Sequence, residues 1–377
     1  MAEVEDKSFY LTAPIRDKSE FNCLKVNITE ACNLRCTHCY RWSGDALEHE
    51  LSVPEWLRVV DEHVELGGDS LMIGGGEPLA RKNRTIPVLT RAKHHGLRTV
   101  MLTNATLICP ETAGLLVQLL DQLQVSIDGP TPQSHDGIRG KGTFDTITRA
   151  LSHFRGTSLF LIIAMTPLPE TIETYERECH TLLKNLHDWF GENVILKLGG
   201  VLLDGRDVHA IRGEPARVWS RRVSRLQHDL MGSGWQAKLD AASYEPGVRI
   251  TGCGFGQSMC VEADGNVLAC DIAEDAVVGN VRDLHLSEIQ QRLQQRSGEV
   301  AVDKSPICSP CTLRYLCGGT CRVEAMQRSA SFGVSLTIKG SAPISNALIP
   351  ACDEALKQEL CRRLVALNQY RYERLQP

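Results

Sequence analysis

Cys32-Asn33-Leu34-Arg35-Cys36-Thr37-His38-Cys39 sets three thiols within eight residues, spaced CxxxCxxC, just after the run FNCLKVNIT that begins at Phe21. Apolar and β-branched residues dominate that run, so it reads as a strand with the cysteines in the loop behind it. Three thiolates so close together can wrap one face of a cluster or a soft metal ion. A zinc ion would need a fourth local ligand, a part open only to His38 or His49.

Outward from this loop, short apolar runs alternate with amphipathic stretches. SVPEWLRVVDEHVEL from Ser52 reads as a helix, opened by Ser52 with Glu55 three residues on and Pro54 in the first turn. SLMIGG from Ser70, RTVMLTN from Arg98, LQVSID from Leu123, SLFLIIAMTP from Ser158 and NVILKLGG from Asn193 read as five further strands with helical stretches between them. Strands buried on both faces and joined by helices predict a parallel α/β sheet, either open or closed into a partial barrel. Both architectures put chemistry at the carboxyl ends of the strands, where Cys32, Gly75, Asn104 and Asp128 fall. The expected division is an N-terminal segment 1–20, a strand–helix domain 21–202, and a linker with a bridging helix 203–247. A small cysteine- and glycine-rich domain with little regular structure then covers 248–355, and a C-terminal helix 356–377. Gln327–Leu348, rich in Ser, Ala and Gly, reads as a flexible loop.

The 377 residues are 42% hydrophobic and 23% charged, which excludes an intrinsically disordered chain. With 41 basic against 46 acidic residues the chain lacks the basic excess of a nucleic-acid binder. No apolar run approaches a membrane span and the acidic start MAEVEDKSFY is no secretion signal, so a cytoplasmic protein is expected. Fifteen cysteines, an odd number without a secretion signal, argue for thiolate ligands rather than disulfides. Eight fall between Cys253 and Cys352; Cys23, Cys109, Cys179 and Cys361 stand apart and read as buried structural thiols.

The CxxxCxxC loop resembles that of the radical S-adenosylmethionine (SAM) enzymes, in which three cysteines hold a [4Fe–4S] cluster and SAM chelates the fourth iron. Further motifs follow in the family's order. Gly74-Gly75-Gly76-Glu77-Pro78 resembles the GGEP turn that meets the methionyl ammonium of SAM, where close backbone approach requires glycine. Leu102-Thr103-Asn104 resembles the TN segment, Val125-Ser126-Ile127-Asp128-Gly129 the motif that reaches the ribose and carboxylate, and HDGIRGKGTFD from His135 the HDxxRGxG stretch. There Arg139 is expected to pair a carboxylate through its planar fork. The resemblance thus implies SAM contacts from Gly75, Gly76, Glu77, Asn104, Ser126, Asp128 and Arg139. The adenine contact falls to His38 or Tyr40, because the residue before the third cysteine, often aromatic in the family, is His38 here.

The C-terminal cysteines resemble the SPASM extension. Cys253, eleven residues, Gly265, four residues and Cys270 match its first block; Cys308-x2-Cys311-x5-Cys317-x3-Cys321 matches its second, and Cys352 completes it. By resemblance, auxiliary cluster I takes Cys253, Cys260, Cys270 and Cys321, and auxiliary cluster II takes Cys308, Cys311, Cys317 and Cys352. A core role for Cys260 would instead leave an open iron in cluster I. Asp271 reads either as a catalytic base, as proposed in the sulfatase-maturating branch, or as an acceptor for backbone N–H groups of its own loop.

The resemblance implies three [4Fe–4S] clusters, reductive cleavage of SAM to a 5′-deoxyadenosyl radical, and hydrogen abstraction from a peptide or protein substrate. A crosslink in a ribosomally made peptide is the leading expectation. Formylglycine formation, small-molecule dehydrogenation, and a non-catalytic iron–sulfur carrier are the alternatives. The expected partners are a flavodoxin- or ferredoxin-type electron donor and a separate leader-peptide-binding protein, unless the barrel and SPASM surfaces bind the peptide directly. Only some twenty residues precede the first strand, so no fused leader-binding domain is expected there.

Overall fold

The computed structural model describes residues 16–17, 23–200, 203–211, 213–232, 248–253, 255–256, 258–273, 276–319, 321, 352 and 354–374. Six strands follow the chain in order: β1 (Cys23–Asn27), β2 (Ser70–Gly74), β3 (Arg98–Thr103), β4 (Gln122–Ser126), β5 (Phe160–Met165) and β6 (Val194–Leu198). Each pairs in parallel with the next. The helices between them are α1 (Val53–Glu65), α2 (Lys82–His94), α3 (Pro110–Leu119), α4 (Pro132–Arg139), α5 (Thr143–Ser152) and α6 (Ile172–Phe190). This is the α/β architecture expected from the alternation.

Along β1 the residues Leu24 and Val26 are buried while Cys23, Lys25 and Asn27 are partly open, and β2, β4 and β5 repeat the alternation. The buried positions meet apolar stripes at helical spacing, such as Trp56, Val59 and Val60 of α1 and Tyr175, Cys179, Leu183 and Leu186 of α6. The alternate positions, including Lys25, Asn27, Met72, Gln124, Ser126 and Ala164, line a cavity on the other face. One period-2 pattern therefore builds the core and the cavity wall together.

Helix α1 begins as its sequence predicts, with the Glu55 carboxylate accepting the Ser52 N–H at 2.7 Å and its hydroxyl at 2.6 Å. Helix α4 is an element the sequence reading lacks: Pro132–Arg139 runs into the HDxxRGxG stretch, which reads from His135 only as a motif. Thr131 caps it, its hydroxyl accepting from the Ser134 N–H at 3.3 Å. Helix α7 (Gly213–Met231) packs beside β6, where the Gln227 side chain accepts from Leu198 N at 2.6 Å and donates to Leu196 O at 2.9 Å.

The cysteine-rich region does not stand clear of this sheet. Its strand β7 (Met259–Val261) pairs in parallel with β1, and β8 (Asn266–Leu268) and β9 (Val277–Asn280) follow antiparallel. The nine-stranded sheet thus runs β9-β8-β7-β1-β2-β3-β4-β5-β6. Beyond it, helix α8 (Leu286–Glu299) abuts α1, where the buried Glu62 carboxylate accepts from Leu286 N at 2.8 Å. The one-turn helix α9 (Arg314–Cys317) and the C-terminal α10 (Glu354–Arg374) follow, and a separate two-stranded parallel sheet joins Arg16–Asp17 to Val248–Arg249. The loop expected over Gln327–Leu348 lies outside the described residues.

Of the four solitary cysteines, Cys179 alone is buried; Cys23 is half-buried and Cys109 and Cys361 are exposed. The expectation of four core thiols therefore fails at Cys109, which precedes α3 at its N-cap, and at Cys361, on the open side of α10. No helix among the described residues is long and apolar enough to cross a membrane.

Candidate active site

The carboxyl ends of β1 to β5 surround a cavity of about 410 Å³, and Cys32, Cys36 and Cys39 all line it. The loop that carries them is held from several sides. Thr37 N donates to Ile138 O at 3.0 Å, Asp207 N donates to Thr37 O at 2.8 Å, and Arg206 donates to Cys36 O at 3.1 Å. The chain around Gly205 presses so close that a Cβ there would lie 2.6 Å from the His38 carbonyl carbon. Residues 203–211, read from sequence as linker, are a strap across the cysteine loop.

The GGEP turn is fixed by its own chain. Gly75 has φ +130°, and a Cβ on it would sit 2.5 Å from Thr29 O; one on Gly76 would sit 2.4 Å from Ala31 O. The close approach that requires glycine is therefore first of all an approach to the 28–31 loop, sealed by Gly76 N to Thr29 O at 2.7 Å and Glu77 N to Ala31 O at 2.8 Å. Glu77 is wholly buried and turned away from the cavity. Its carboxylate accepts from Asn104 N at 2.7 Å, Thr103 Oγ1 at 2.8 Å and Leu79 N at 3.0 Å. Burial pushes its carboxyl upward against those three donors. The side chain placed among the SAM contacts by resemblance thus ties the second strand end to the third, while Gly75, Gly76 and Asn104 face the cavity.

Asp128 is the hub of the opposite wall. It is buried, and its carboxylate meets Arg139 Nε at 2.5 Å, His38 Nε2 at 2.9 Å and Thr166 N at 2.7 Å. Burial works against its charge, but Arg139 and His38 outweigh it and hold the carboxyl well below the usual range. The carboxylate that Arg139 pairs is thus the chain's own, and a second Arg139 nitrogen lies 3.9 Å from the Cys36 sulfur. His38 engages Asp128 through one ring nitrogen; its buried Nδ1 has no hydrogen-bond partner among the described residues. Tyr40, the other adenine candidate, also lines the cavity and is partly exposed. His135 accepts from Asp128 N at 3.0 Å, and burial followed by Arg139 lowers its pKa to about 4, so the ring is neutral. Asp136 accepts from Gly142 N at 2.6 Å and Phe144 N at 3.0 Å at the start of α5. The HDxxRGxG stretch is thus largely scaffold for Asp128.

Burial pushes the Cys32 and Cys36 thiols up, and nearby donors offset part of that. Leu34 N lies 3.4 Å and Asn104 Nδ2 3.9 Å from the Cys32 sulfur, both as donors, and Arg139 brings a fixed positive charge to Cys36. Among the described residues no three His, Cys, Asp or Glu side chains draw together tightly enough for a single ion. Zinc, with sulfur at about 2.3 Å, demands such a knot, whereas a cube of iron and sulfide spreads its cysteines.

Residues 26–182 match the radical SAM superfamily, and residues 253–312 match the SPASM iron–sulfur cluster-binding domain. The chain is a radical SAM enzyme with a SPASM domain. Mycofactocin maturase MftC of Mycobacterium tuberculosis is 29% identical over 276 residues, spanning 69% of this chain and 67% of the relative. Fe-coproporphyrin III synthase of Methanosarcina barkeri is 28% identical over 341 residues, 79% and 82% of the two chains. Among solved structures, native anSMEcpe with bound AdoMet and Cp18Cys peptide superposes with a TM-score of 0.56 at 19% identity, covering 94% of this chain and 97% of that one. That likeness establishes the radical SAM fold. The cofactors of this family are SAM with a [4Fe–4S] cluster, and further iron–sulfur clusters in the SPASM domain.

The SPASM cysteines fall into two electrostatic groups. Cys270 feels Cys253 and Cys321, and Cys260 feels Cys270; Cys352 feels Cys317, Cys311 and Cys308. Burial pushes the thiols of Cys260, Cys270 and Cys352 up, and the neighbouring sulfurs add to it, a cost that bound iron would relieve. Cys260, on β7, is buried in register with Lys25 of β1 and lines the same cavity as the first three cysteines. Asp271 lines it too, with Lys25 Nζ 3.3 Å from its carboxylate. Burial alone would lower the Lys25 ammonium, but Asp271 and Cys260 raise it further. Sequence reasoning missed Lys25, Arg41 and Arg206. The first two could have been found from the alternation on β1 and the charge beside Cys39; nothing local marks Arg206, which the strap delivers from far along the chain.

Proposed function

We propose that this enzyme oxidatively modifies a peptide, removing two hydrogens to form a crosslink in a ribosomally made product. The observation that carries this reading is the shared wall: Cys260 and Asp271 of the SPASM region line the cavity that Cys32, Cys36 and Cys39 open into. When bound, SAM and its cluster, held by Cys32, Cys36 and Cys39, supply a one-electron cleavage and an acceptor for a substrate hydrogen atom. Gly75, Gly76, Asn104, Ser126 and the Asp128–Arg139–His38 assembly, with Tyr40, are the residues that would hold SAM. The substrate must then lose one proton and one electron. In this reading Asp271, beside Lys25 on the cavity wall, takes the proton. The cysteine groups Cys253, Cys260, Cys270, Cys321 and Cys308, Cys311, Cys317, Cys352 supply the adjacent sites for the electron. Losing a hydrogen atom, a proton and an electron amounts to the loss of two hydrogens.

An external flavodoxin- or ferredoxin-type donor and a leader-binding partner complete the scheme. The peptide-bound anSMEcpe structure and the maturase relative support a peptide substrate, and the porphyrin synthase relative gives the second reading, a tetrapyrrole. The deciding experiment is anaerobic turnover with SAM and reductant on a small peptide encoded beside the gene, read by tandem mass spectrometry alongside 5′-deoxyadenosine. A loss of two hydrogens mapped to linked side chains is the expected result. An untouched peptide with turnover of a Cys- or Ser-containing sulfatase peptide, or of coproporphyrin, replaces the reading with that chemistry.

A further inference from the structure

On the far side of the cavity wall lies a second hollow of about 370 Å³. Arg41 and Ser43 line both spaces, so the hollow adjoins the site of chemistry at these two residues. This boundary is well braced: Arg41 bridges Glu30 and Glu262, Asn27 donates to Glu262 at 2.8 Å, and Ser43 Oγ donates to Glu30 at 2.8 Å.

The outer rim is apolar and open. Trp42 is 61% exposed, Leu47 46% and Val277 45%, and these three face the one hollow. Trp42 holds φ +54°, a conformation costly for a bulky side chain, only three residues beyond Cys39. A tryptophan held out in water on strained backbone gains nothing for the fold, since burial is what an indole contributes. The charge around it is mostly acidic. Among the described lining residues Glu30, Asp45, Glu262 and Asp264 face a single base, Arg41, which is already committed to two of them. Asp45 is wholly exposed apart from its contact with Arg35.

We propose that this hollow docks a cationic, aliphatic segment of the peptide substrate, holding it beside this boundary while another part of the same chain enters the active cavity. An aromatic anchor with acidic surroundings selects lysine or arginine interleaved with apolar residues, by packing on Trp42 and by attraction to Asp45 and Asp264. The inference rests on the peptide reading given above, and names the chemistry by which the peptide is selected.

The test is binding, independent of turnover. A fluorescein-labelled 12-residue peptide of alternating lysine and leucine is titrated anaerobically into the cluster-loaded enzyme, against a glutamate–leucine peptide of equal length. The lysine peptide should bind, weaken roughly tenfold or more in Trp42→Ala, weaken several-fold in Asp45→Lys, and weaken again between about 50 and 300 mM salt. The glutamate peptide should not bind. Both variants should keep the cluster absorption and the substrate-free formation of 5′-deoxyadenosine, which shows that the fold is intact. Equal binding of the two peptides, or lysine-peptide binding that neither substitution alters, overturns the proposal, as does dimerisation through this face that excludes the peptide. Binding as described, with no modification of any peptide, leaves the docking site standing and fails the peptide-crosslinking reading instead.

Discussion

The two cysteine regions are built on opposite principles. Cys32, Cys36 and Cys39 come from one loop of eight residues, whereas the SPASM cysteines are spread from Cys253 to Cys352 and reach their groups through a strand, turns, the end of a one-turn helix and the approach to α10. In the first region the chain itself brings the ligands together, and other segments add donors around them: Asn104, Arg139 and Arg206. In the second the fold must bring them together, and the pairing of β7 with β1 fixes Cys260 beside Lys25. A contiguous ligand set thus depends on the fold for its environment, and a dispersed one depends on it for its existence.

The largest effects should separate the two regions. Cys36→Ala should abolish 5′-deoxyadenosine formation and lower bound iron by about a third if three equivalent cubes are present. Cys311→Ala should spare substrate-free 5′-deoxyadenosine formation while abolishing the two-hydrogen product. Product formation by the Cys311 variant would break the comparison, since the SPASM region would then be structural only. Iron analysis and product ratios on the same preparations decide it.

Next in size is the buried Asp128 hub. Asp128→Asn keeps the volume but leaves Arg139 without its charge partner, which should cost about 3–5 kcal/mol in urea unfolding followed by circular dichroism. The neighbouring His135 adds a pH dependence. Its folded pKa of about 4 lies below the unfolded value near 6.5, so the unfolded chain binds the extra proton between those limits. Stability should therefore fall by about 3 kcal/mol as pH drops from 6.5 to 4. His135→Asn, which can still accept from Asp128 N, should flatten that slope. An unchanged slope would show that His135 is not the titrating group.

Legibility followed the same division. Strand order, the helix beginning at Ser52 and the loop of Cys32 were readable because period-2 and period-3.6 patterns and caps are local. The motif order placed Gly75, Asn104, Ser126 and Asp128 at the correct strand ends for the same reason. The inward turn of Glu77 was not readable, because the donors that fix it come from Thr103 and Asn104, on another strand. Nor was the pairing of Arg139 with Asp128, the strap at Arg206, or the union of β7 with β1, each of which joins residues far apart in sequence. Cys109 and Cys361 were misread because a lone cysteine carries no pattern that marks its exposure.

The smallest expected effect on stability probes the seam where the two regions meet. Lys25 and Asp271 are 3.3 Å apart, but their side chains stay 34% and 42% exposed, so solvent screens the pair. Lys25→Met should change stability by less than about 1 kcal/mol. If the pair served only to staple β1 to the SPASM region, nothing else would change. If Lys25 instead positions Asp271 to take a proton, the ratio of product to 5′-deoxyadenosine should fall about tenfold in Lys25→Met and about a hundredfold in Asp271→Asn, with SAM cleavage itself retained. Lys25→Arg, which keeps the charge, should recover part of the ratio. A ratio that tracks stability across all three variants would reduce the seam to a structural contact. A ratio that falls while stability holds would place proton removal on the SPASM side of the cavity.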